Sequence, residues 1–495
     1  MFKRKKNDDD LEFVALDGYE SESVKKKEKN RTFETVLVTY FFVFLMLLVM
    51  GNLVLFVTKD SESVINNSYN TRQEILANKN IRGKILSRDG DILAQTGRNE
   101  EGKEIRYYPY GEIFSHVVGY PVKGKSGIEL SENINLLTSH DSVLVKIQNE
   151  VGSLKNYGDN VHTTLDVDLQ KVAYEALGAY RGAIVVTDPN TGEILAMASK
   201  PGFDPNSIGE MWDSLVADKE SGVLVNRATQ GLYPPGSTFK IITSLEYYRE
   251  HDGNVSDYHF NCGGSFTYQG DKINCYHKSS HGSVDFKRSF EKSCNSSFAN
   301  IGVSEDADKL ADTCKDLLFN KDLPYDGLYK KSSFVLTSED SSYDVMQTSI
   351  GQGKTQITPI HLNMITCAIA NKGTLQKPYL VSKIANYSGV TVKNCAPNKT
   401  IRLMSEDESA FLTDLMTGVV EKGTASKLSG QSYTAAGKTG SAEYNGDKSD
   451  SHAWFTGFAP ATDPQVCVTV IVEGAGSGGD YAVPIAKRVF DAYFK

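Results

Sequence analysis

Several things are scarce in this 495-residue chain, and each scarcity excludes a class of protein. Its seven cysteines, an odd number scattered from Cys262 to Cys467 without a CxxC pair, are too few to serve as a disulfide framework. Lys and Arg number 53 against 62 Asp and Glu, a formal charge of −9 with no basic stripe, so the electrostatic footprint of a nucleic-acid binder is missing. No internal repeat is visible. Two phosphate-loop look-alikes, GQGKT at 351–355 and GKT at 437–439, lack the glycine required five positions before GK and are rejected as nucleotide sites. What remains is ordinary globular composition, 40% hydrophobic and 23% charged, on enough length for two or three domains whose cores rest on apolar burial.

One apolar run stands out. Residues 36–57 carry no charge, and only Thr39 and Asn52 within them are polar. At 1.5 Å per residue this run crosses roughly 30 Å of hydrocarbon. A secretory signal peptide is the competing reading, but the run is too long and TKDSES after it lacks a small-x-small cleavage pattern, so an uncleaved single-pass anchor is expected. Residues 1–31 hold nine Lys and Arg, whereas the fifteen residues after Val57 hold only Lys59 and Arg72. The positive-inside rule then leaves the N-terminus cytoplasmic and everything after the anchor outside. The expected division is a solvated tail over 1–35, the anchor over 36–57, a small extended module over 58–155, and a larger α+β domain over 156–495. In the small module, Asp89-Gly90-Asp91 between apolar runs predicts a hairpin turn. In the large one, TTLDVDLQKVAYEAL predicts a capped helix and GAIVVTD-PNTG-EILAMAS predicts paired strands. QVCVTVIVEG then reads as a buried strand and YAVPIAKRVFDAYFK as an amphipathic helix.

Three motifs could carry chemistry. In YPPGSTFK, the Pro234-Pro235-Gly236 break puts Ser237 at a helix start, where backbone N–H groups favour a developing anion, and sets Lys240 one turn on. In isolation this motif is weak and reads as an N-cap serine with a surface lysine. Ser293-Cys294-Asn295 is a compact set of hydroxyl and amide in a helical surround, and by itself reads as capping chemistry. Lys438, Thr439, Gly440 and Ser441 lie on a predicted strand facing HAWFTGFAP, with Gly440 allowing close approach of another backbone. His452 invites a Ser-His-Asp reading, but no orienting carboxylate is nearby and it is assigned a structural role. GAGSGGD near 474–480 reads as the link from the last strand to the last helix.

Together, SxxK, SxN and KTG in that order make the chain resemble the class B, monofunctional penicillin-binding proteins. RGKILSRDGDILA, TTLDVDLQ, VVTDPNTGEILAMAS, NRATQGLYPPGSTFK, SIGQGKTQITPIHL and AGKTGSAE extend the likeness over nearly all of the chain beyond the anchor. Ser441 stands where the family often has Thr, keeping the hydroxyl. The resemblance implies a serine D,D-peptidase/β-lactamase-like domain, an antiparallel sheet with flanking helices, on a non-catalytic pedestal. It implies a peptidoglycan D,D-transpeptidase: Ser237 attacks the D-Ala-D-Ala carbonyl of a stem peptide, and β-lactams trap the same serine. Lys240 is the implied base, which must be held neutral although a lysine of pKa about 10.4 costs roughly 4.6 kcal/mol to deprotonate at pH 7. Burial and a second cation, Lys438, are expected to lower that cost, with Lys240 close to both Ser237 and Ser293. Ser293 and Asn295 would relay a proton and hold the substrate amide. Lys438, Thr439 and Ser441 would bind the terminal carboxylate, and the backbone N–H groups of Ser237 and Ser441 would form the oxyanion hole.

No cofactor is expected. Cys262, Cys275, His277 and His281 superficially suggest zinc, but FNCGGSFTYQGDKINCYH reads as a hairpin placing the two cysteines on facing strands. The family carries a similar pair there, so a disulfide or a facing thiol pair between Cys262 and Cys275 is preferred to a metal. Implied partners are stem peptides, β-lactams, membrane lipid around the anchor, and a polytopic membrane glycosyltransferase of the elongation, division or sporulation type. The remaining alternatives are a D,D-carboxypeptidase or β-lactamase using the same serine, and a non-catalytic β-lactam sensor or scaffold.

Overall fold

A computed structural model describes residues 22–57, 71–443 and 451–495. Most of the tail expected over 1–35, the segment 58–70 and the 444–450 turn of the KTG hairpin lie outside the described residues. The chain forms two units, 1–70 and 71–495. In the first, helix α1 spans Glu22–Leu55, starting well before the apolar run, and its stretch Phe33–Leu55 is long and apolar enough to cross a membrane.

The second unit is built on two sheets. The six-stranded one runs in the order Thr391–Asn394, Val381–Ala385, Asn160–Thr163, Ile85–Leu86, Ile92–Arg98, Glu104–Tyr107. The hairpin expected at Asp89-Gly90-Asp91 is present: Ser87 N–H donates to Asp91 O at 2.8 Å and Gly90 takes φ +94°. This sheet takes strands from both sides of residue 155, because Val161 and His162 pair in parallel with Ile85 and Leu86. The small N-terminal module therefore shares a continuous hydrogen-bonded sheet with segments of the large domain.

The second sheet is wholly antiparallel. Its strands are β1 (Gly182–Thr187), β2 (Ile194–Lys200), β3 (Ala436–Glu443), β4 (Ser451–Ala459) and β5 (Val466–Val472), in spatial order β3-β4-β5-β1-β2. Near-continuous runs of buried residues on these strands call for cover on both faces, and helices supply it. Helix α2 (Val167–Ala176), capped by Asp166 accepting from Leu169 N–H, packs against the C-terminal α7 (Ala482–Tyr493). Phe455 on β4 meets Phe490 of α7, while its neighbour Thr456 hydrogen-bonds Thr366 of the buried helix α5 (Pro359–Ala370) at 2.6 Å on the other face. Polar groups in that interface are paired: Thr456 with Thr469 at 2.7 Å and Thr187 with Asn363 at 2.7 Å. The KTG strand β3 is thereby left as an edge strand, with its outer side turned to the segment that holds Ser237.

The N-terminal module carries a buried ionic cluster. Glu129 is fully buried and accepts from Arg82 Nε at 2.5 Å, Arg106 Nε at 2.8 Å and Tyr108 Oη at 3.0 Å. Burial alone would raise the Glu129 carboxyl, but Arg106 and Arg82 outweigh it and hold the group below its ordinary value. Its contribution to stability is therefore complete above the unfolded carboxyl value of about 4.3 and is lost as pH falls through the lower folded value. Replacing Glu129 by Gln strands two buried guanidinium groups and is expected to cost about 3–5 kcal/mol in urea unfolding at pH 7. The same variant should lose less stability than wild type between pH 6 and pH 3, and an identical acid dependence would count against the assignment.

Candidate active site

The segment before Ser237 is fixed from several sides. Arg227 Nε donates to Glu473 Oε1 at 2.8 Å, Tyr233 Oη donates to the same oxygen at 2.7 Å, and Trp454 Nε1 donates to Pro234 O at 3.1 Å. Gly236 then turns the chain at φ +54°, where a Cβ would stand 2.7 Å from Ser441 O. A single 3-10 turn, Gly236–Phe239, leads into α3 (Lys240–Glu250). Ser237 thus sits in the first turn, where backbone N–H groups have no intrahelical acceptor, and it is half-buried.

Lys240 is fully buried. Its ammonium donates to Ser293 O at 2.8 Å, Asn295 Oδ1 at 2.7 Å and Ser293 Oγ at 3.3 Å, with the Phe298 ring 5.3 Å away. Lys438, also fully buried, donates to Ser293 Oγ at 3.0 Å and to Thr439 O at 3.0 Å. One serine hydroxyl therefore lies between two buried amines. The expected proximity of Lys240 to Ser293 is present. Among the described residues, however, the hydrogen bonds of Lys240 Nζ go to Ser293 and Asn295 and not to Ser237, because those three acceptors use all three of its N–H donors. Burial pushes Lys240 down to about 8, while the Cys294 and Cys275 thiols pull it up. Burial, then the charge of Lys240, hold Lys438 well below the usual lysine range.

Ser293 and Cys294 occupy a break between the helix Phe286–Glu291 and α4 (Asn295–Ser304), which Asn295 opens, and not the helical run the periodicity suggests. Ser293 adopts φ +52°, an uncommon conformation for a non-glycine residue, and Cys294 caps α4 by accepting from Ser297 N–H. Asn295 Nδ2 donates to Asn274 O at 3.2 Å. On β3, Thr439 Oγ1 pairs with Thr424 Oγ1 at 2.5 Å. Gly440 bears out the expected close approach, since a Cβ would meet Trp454 Cβ at 3.0 Å and Pro235 O at 3.1 Å. Ser441 Oγ accepts from Gly478 N–H at 3.2 Å, so the glycine-rich 474–480 stretch also buttresses the site besides linking β5 to α7. His452 is buried and its Nδ1 accepts from Gly474 N–H at 3.2 Å.

The cysteines need a correction. Cys262 lies on the strand His259–Cys262, which pairs with Gly282–Asp285, whereas Cys275 follows the separate hairpin Ser265–Tyr268/Asp271–Asn274. The two are not on facing strands, but their sulfurs lie 3.7 Å apart as free thiols, so of the two expected forms the thiol pair is present and the disulfide is not. His277 of the sequence pattern is exposed, and Cys294 takes its place. Cys262, Cys275, Cys294 and His281 bring four potential metal-ligating atoms within 4.8 Å of one another, directly under the SxN turn.

The penicillin binding protein transpeptidase domain family matches residues 182–491. The chain belongs to that family. The penicillin binding protein A dimerisation domain family matches residues 82–161. Among relatives, the peptidoglycan D,D-transpeptidase PbpA of Mycolicibacterium smegmatis is 30% identical, covering 83% of this chain and 88% of that protein. The peptidoglycan D,D-transpeptidase MrdA of Acinetobacter baumannii is 31% identical over 79% of this chain and 66% of its own length. Penicillin-binding protein A from M. tuberculosis, solved as a penicillin G acyl-enzyme complex, superposes with a TM-score of 0.75 at 28% identity, covering 84% of this chain and all of that one.

One position that the motif reading passed over supports the Ser237 turn. Gly351, inside the stretch first weighed as a phosphate loop, accepts from Gly236 N–H at 2.9 Å through its carbonyl and takes φ +81°. A Cβ there would stand 1.8 Å from Gly236 O. Gly351→Ala must shift the Ser237 turn, and a displacement near 1 Å is expected to slow labelling by fluorescent penicillin about 10²-fold. Unchanged labelling would show that the turn is held without Gly351.

Proposed function

We propose that this chain is a peptidoglycan D,D-transpeptidase in which Ser237 Oγ attacks the carbonyl between the last two D-alanines of a stem peptide. The bond to the terminal D-alanine nitrogen breaks, D-alanine leaves with a proton, and a neighbouring stem's amine resolves the ester. Lys240 is the base for Ser237. The carrying observation is the single hydroxyl of Ser293 hydrogen-bonded to both buried lysines. Two buried ammonium groups on one hydroxyl are unfavourable, so the pair holds fewer than two protons near neutral pH. The substrate's terminal carboxylate beside Lys438 favours the charged form there, so on binding the proton passes through Ser293 from Lys240 to Lys438 and leaves Lys240 neutral to accept from Ser237. The protonated chain then returns a proton to the leaving amine through Ser293, while Asn295 orients Lys240 and the substrate amide.

Thr439, Ser441 and the Lys438 charge hold the terminal carboxylate, and Gly440 lets the substrate backbone lie against the edge strand β3. The N–H groups of Ser237 and Ser441 face the developing oxyanion, where one donor is worth about 10²- to 10³-fold in rate. A β-lactam presents the same acyl group and leaves a slowly hydrolysed ester on Ser237. Residues 1–35 remain in the cytoplasm, 36–57 anchor the chain in lipid, 58–155 form the pedestal and 156–495 carry out catalysis on the outer face. Glycan polymerisation is supplied by a polytopic membrane glycosyltransferase of the elongation, division or sporulation type.

The test combines fluorescent-penicillin labelling with incubation of donor stem peptide and an amine acceptor. Wild type should label and give cross-linked product, and Ser237→Ala should do neither; free D-alanine alone would point to a carboxypeptidase, and acylation without turnover to a sensor. Because the base must be neutral, the acylation rate should rise with pH and level off above about 8, following Lys240. A flat profile from pH 6 to 9 would remove Lys240 from the role of base.

A further inference from the structure

One helix of the N-terminal module is built inside out. The helix Val143–Val151, capped by Ser142 accepting from Val145 N–H, holds no buried residue. Its polar side chains turn toward the body of the protein: Lys146 Nζ donates to Ser139 O at 2.7 Å, and Asn149 Nδ2, one turn on, donates to Asn156 Oδ1 at 3.1 Å. At about 100° per residue the opposite face collects Val143, Leu144, Ile147 and Val151. These are 71%, 74%, 51% and 83% exposed, and Leu154 just beyond the helix is 64% exposed. An amphipathic surface helix in water turns its apolar stripe inward and its charged residues outward. Here the order is reversed, which marks a contact surface. The stripe is tied to the start of the second unit. The strand Asn156–Tyr157 follows the helix and pairs in parallel with Asn80–Ile81, directly after the helix Thr71–Lys79, and Lys155 Nζ donates to Ala77 O at 3.3 Å. Between Thr71 and the end of the apolar run at Val57 lie only the thirteen residues 58–70, which fully extended reach roughly 45 Å.

We propose that Val143, Leu144, Ile147, Val151 and Leu154 lie in the surface of the membrane, among phospholipid acyl chains just beneath the headgroups. The size and makeup of the stripe favour lipid over a protein. A nine-residue helix and one following leucine fall short of the roughly 20–30 residues a side of a stable protein interface. The stripe also holds none of the Trp, Tyr or Arg side chains that carry most protein contacts. A one-sided aliphatic stripe on a short helix is what the interface of a bilayer takes up, with the helix lying in its plane. This makes a second membrane contact in addition to the spanning helix. One spanning helix leaves the tilt of the rest of a chain unset, and a contact in the interface plane restricts it. The inference rests on the reading of 36–57 as an anchor, and on neither the acyl transfer nor the direction in which the anchor runs.

The test uses the full chain reconstituted in phosphatidylcholine vesicles, with Leu144→Trp as the probe. Leu328→Trp, at a 62% exposed position of the large domain, is the control, and wild type supplies the background of Trp212 and Trp454. Wild-type thermal unfolding shows that each variant is folded. Leu144→Trp should fluoresce to the blue of indole in water and be quenched by lipids brominated near the headgroup end of the acyl chain, more than by lipids brominated at its tip. Leu328→Trp should show neither effect. A water-like, unquenched Leu144→Trp in chains that stay with the vesicles through alkaline carbonate overturns the lipid contact and leaves the anchor standing. Equal quenching of both variants overturns it too, since the contact would not belong to the stripe. A blue shift without quenching, lost when each vesicle holds one chain, assigns the stripe to a second copy and also overturns it. Chains that carbonate strips from the vesicles refute the anchor on which the inference rests.

Discussion

Everything at this site depends on two lysine amines buried around one serine hydroxyl. Neither Lys240 nor Lys438 reaches solvent, and each donates to Ser293 Oγ. In water two ammonium groups would stay charged and the serine at position 237 would stay inert. Burial makes the second proton costly, and in the proposed mechanism that cost supplies the base. The backbone has to hold this unfavourable arrangement, and much of the surrounding fold does so.

Three local devices hold it. The Arg227–Glu473–Tyr233 bonds and the Trp454 indole pin the chain just before Ser237, and Gly351 fits under Gly236 where no side chain could. Ser293 takes a left-handed conformation immediately before the helix cap at Cys294, and both lysines bond to its hydroxyl. The edge strand β3 brings Lys438 in from the other side, and the absence of a side chain at Gly440 lets it pack against Pro235. The Ser237 turn, the SxN turn and the KTG strand are far apart in sequence and meet only through tertiary packing.

Much of this was legible in the chain itself. The apolar run, the Asp89-Gly90-Asp91 hairpin, the capped helix α2 and the strands β1, β2 and β5 follow from periodicity and turn chemistry, which are local. The three motifs named residues that the fold brings together, because each motif is contiguous. What depends on tertiary contact was not legible. Helical periodicity around Ser293 hid a break with φ +52°, since periodicity reports side-chain faces and not a single inverted dihedral. The two cysteines were read as sitting on one hairpin, but His259–Cys262 pairs with Gly282–Asp285, and the groups that gather there are Cys262, Cys275, His281 and Cys294. Cys294 was visible only as the middle of a motif. Gly351 and Gly478 drew attention as decoy and linker because their roles are contacts with segments distant in sequence.

The most direct measurement is a titration of the two amines by NMR on protein carrying ¹⁵N at the lysine side chains, with the charge-removing Lys240→Met and Lys438→Met used for assignment. One of the two should be uncharged at pH 7, and replacing either lysine should raise the titration point of the other. If both amines titrate near the ordinary lysine value of about 10.4, the serine has no neutral base and the account is wrong.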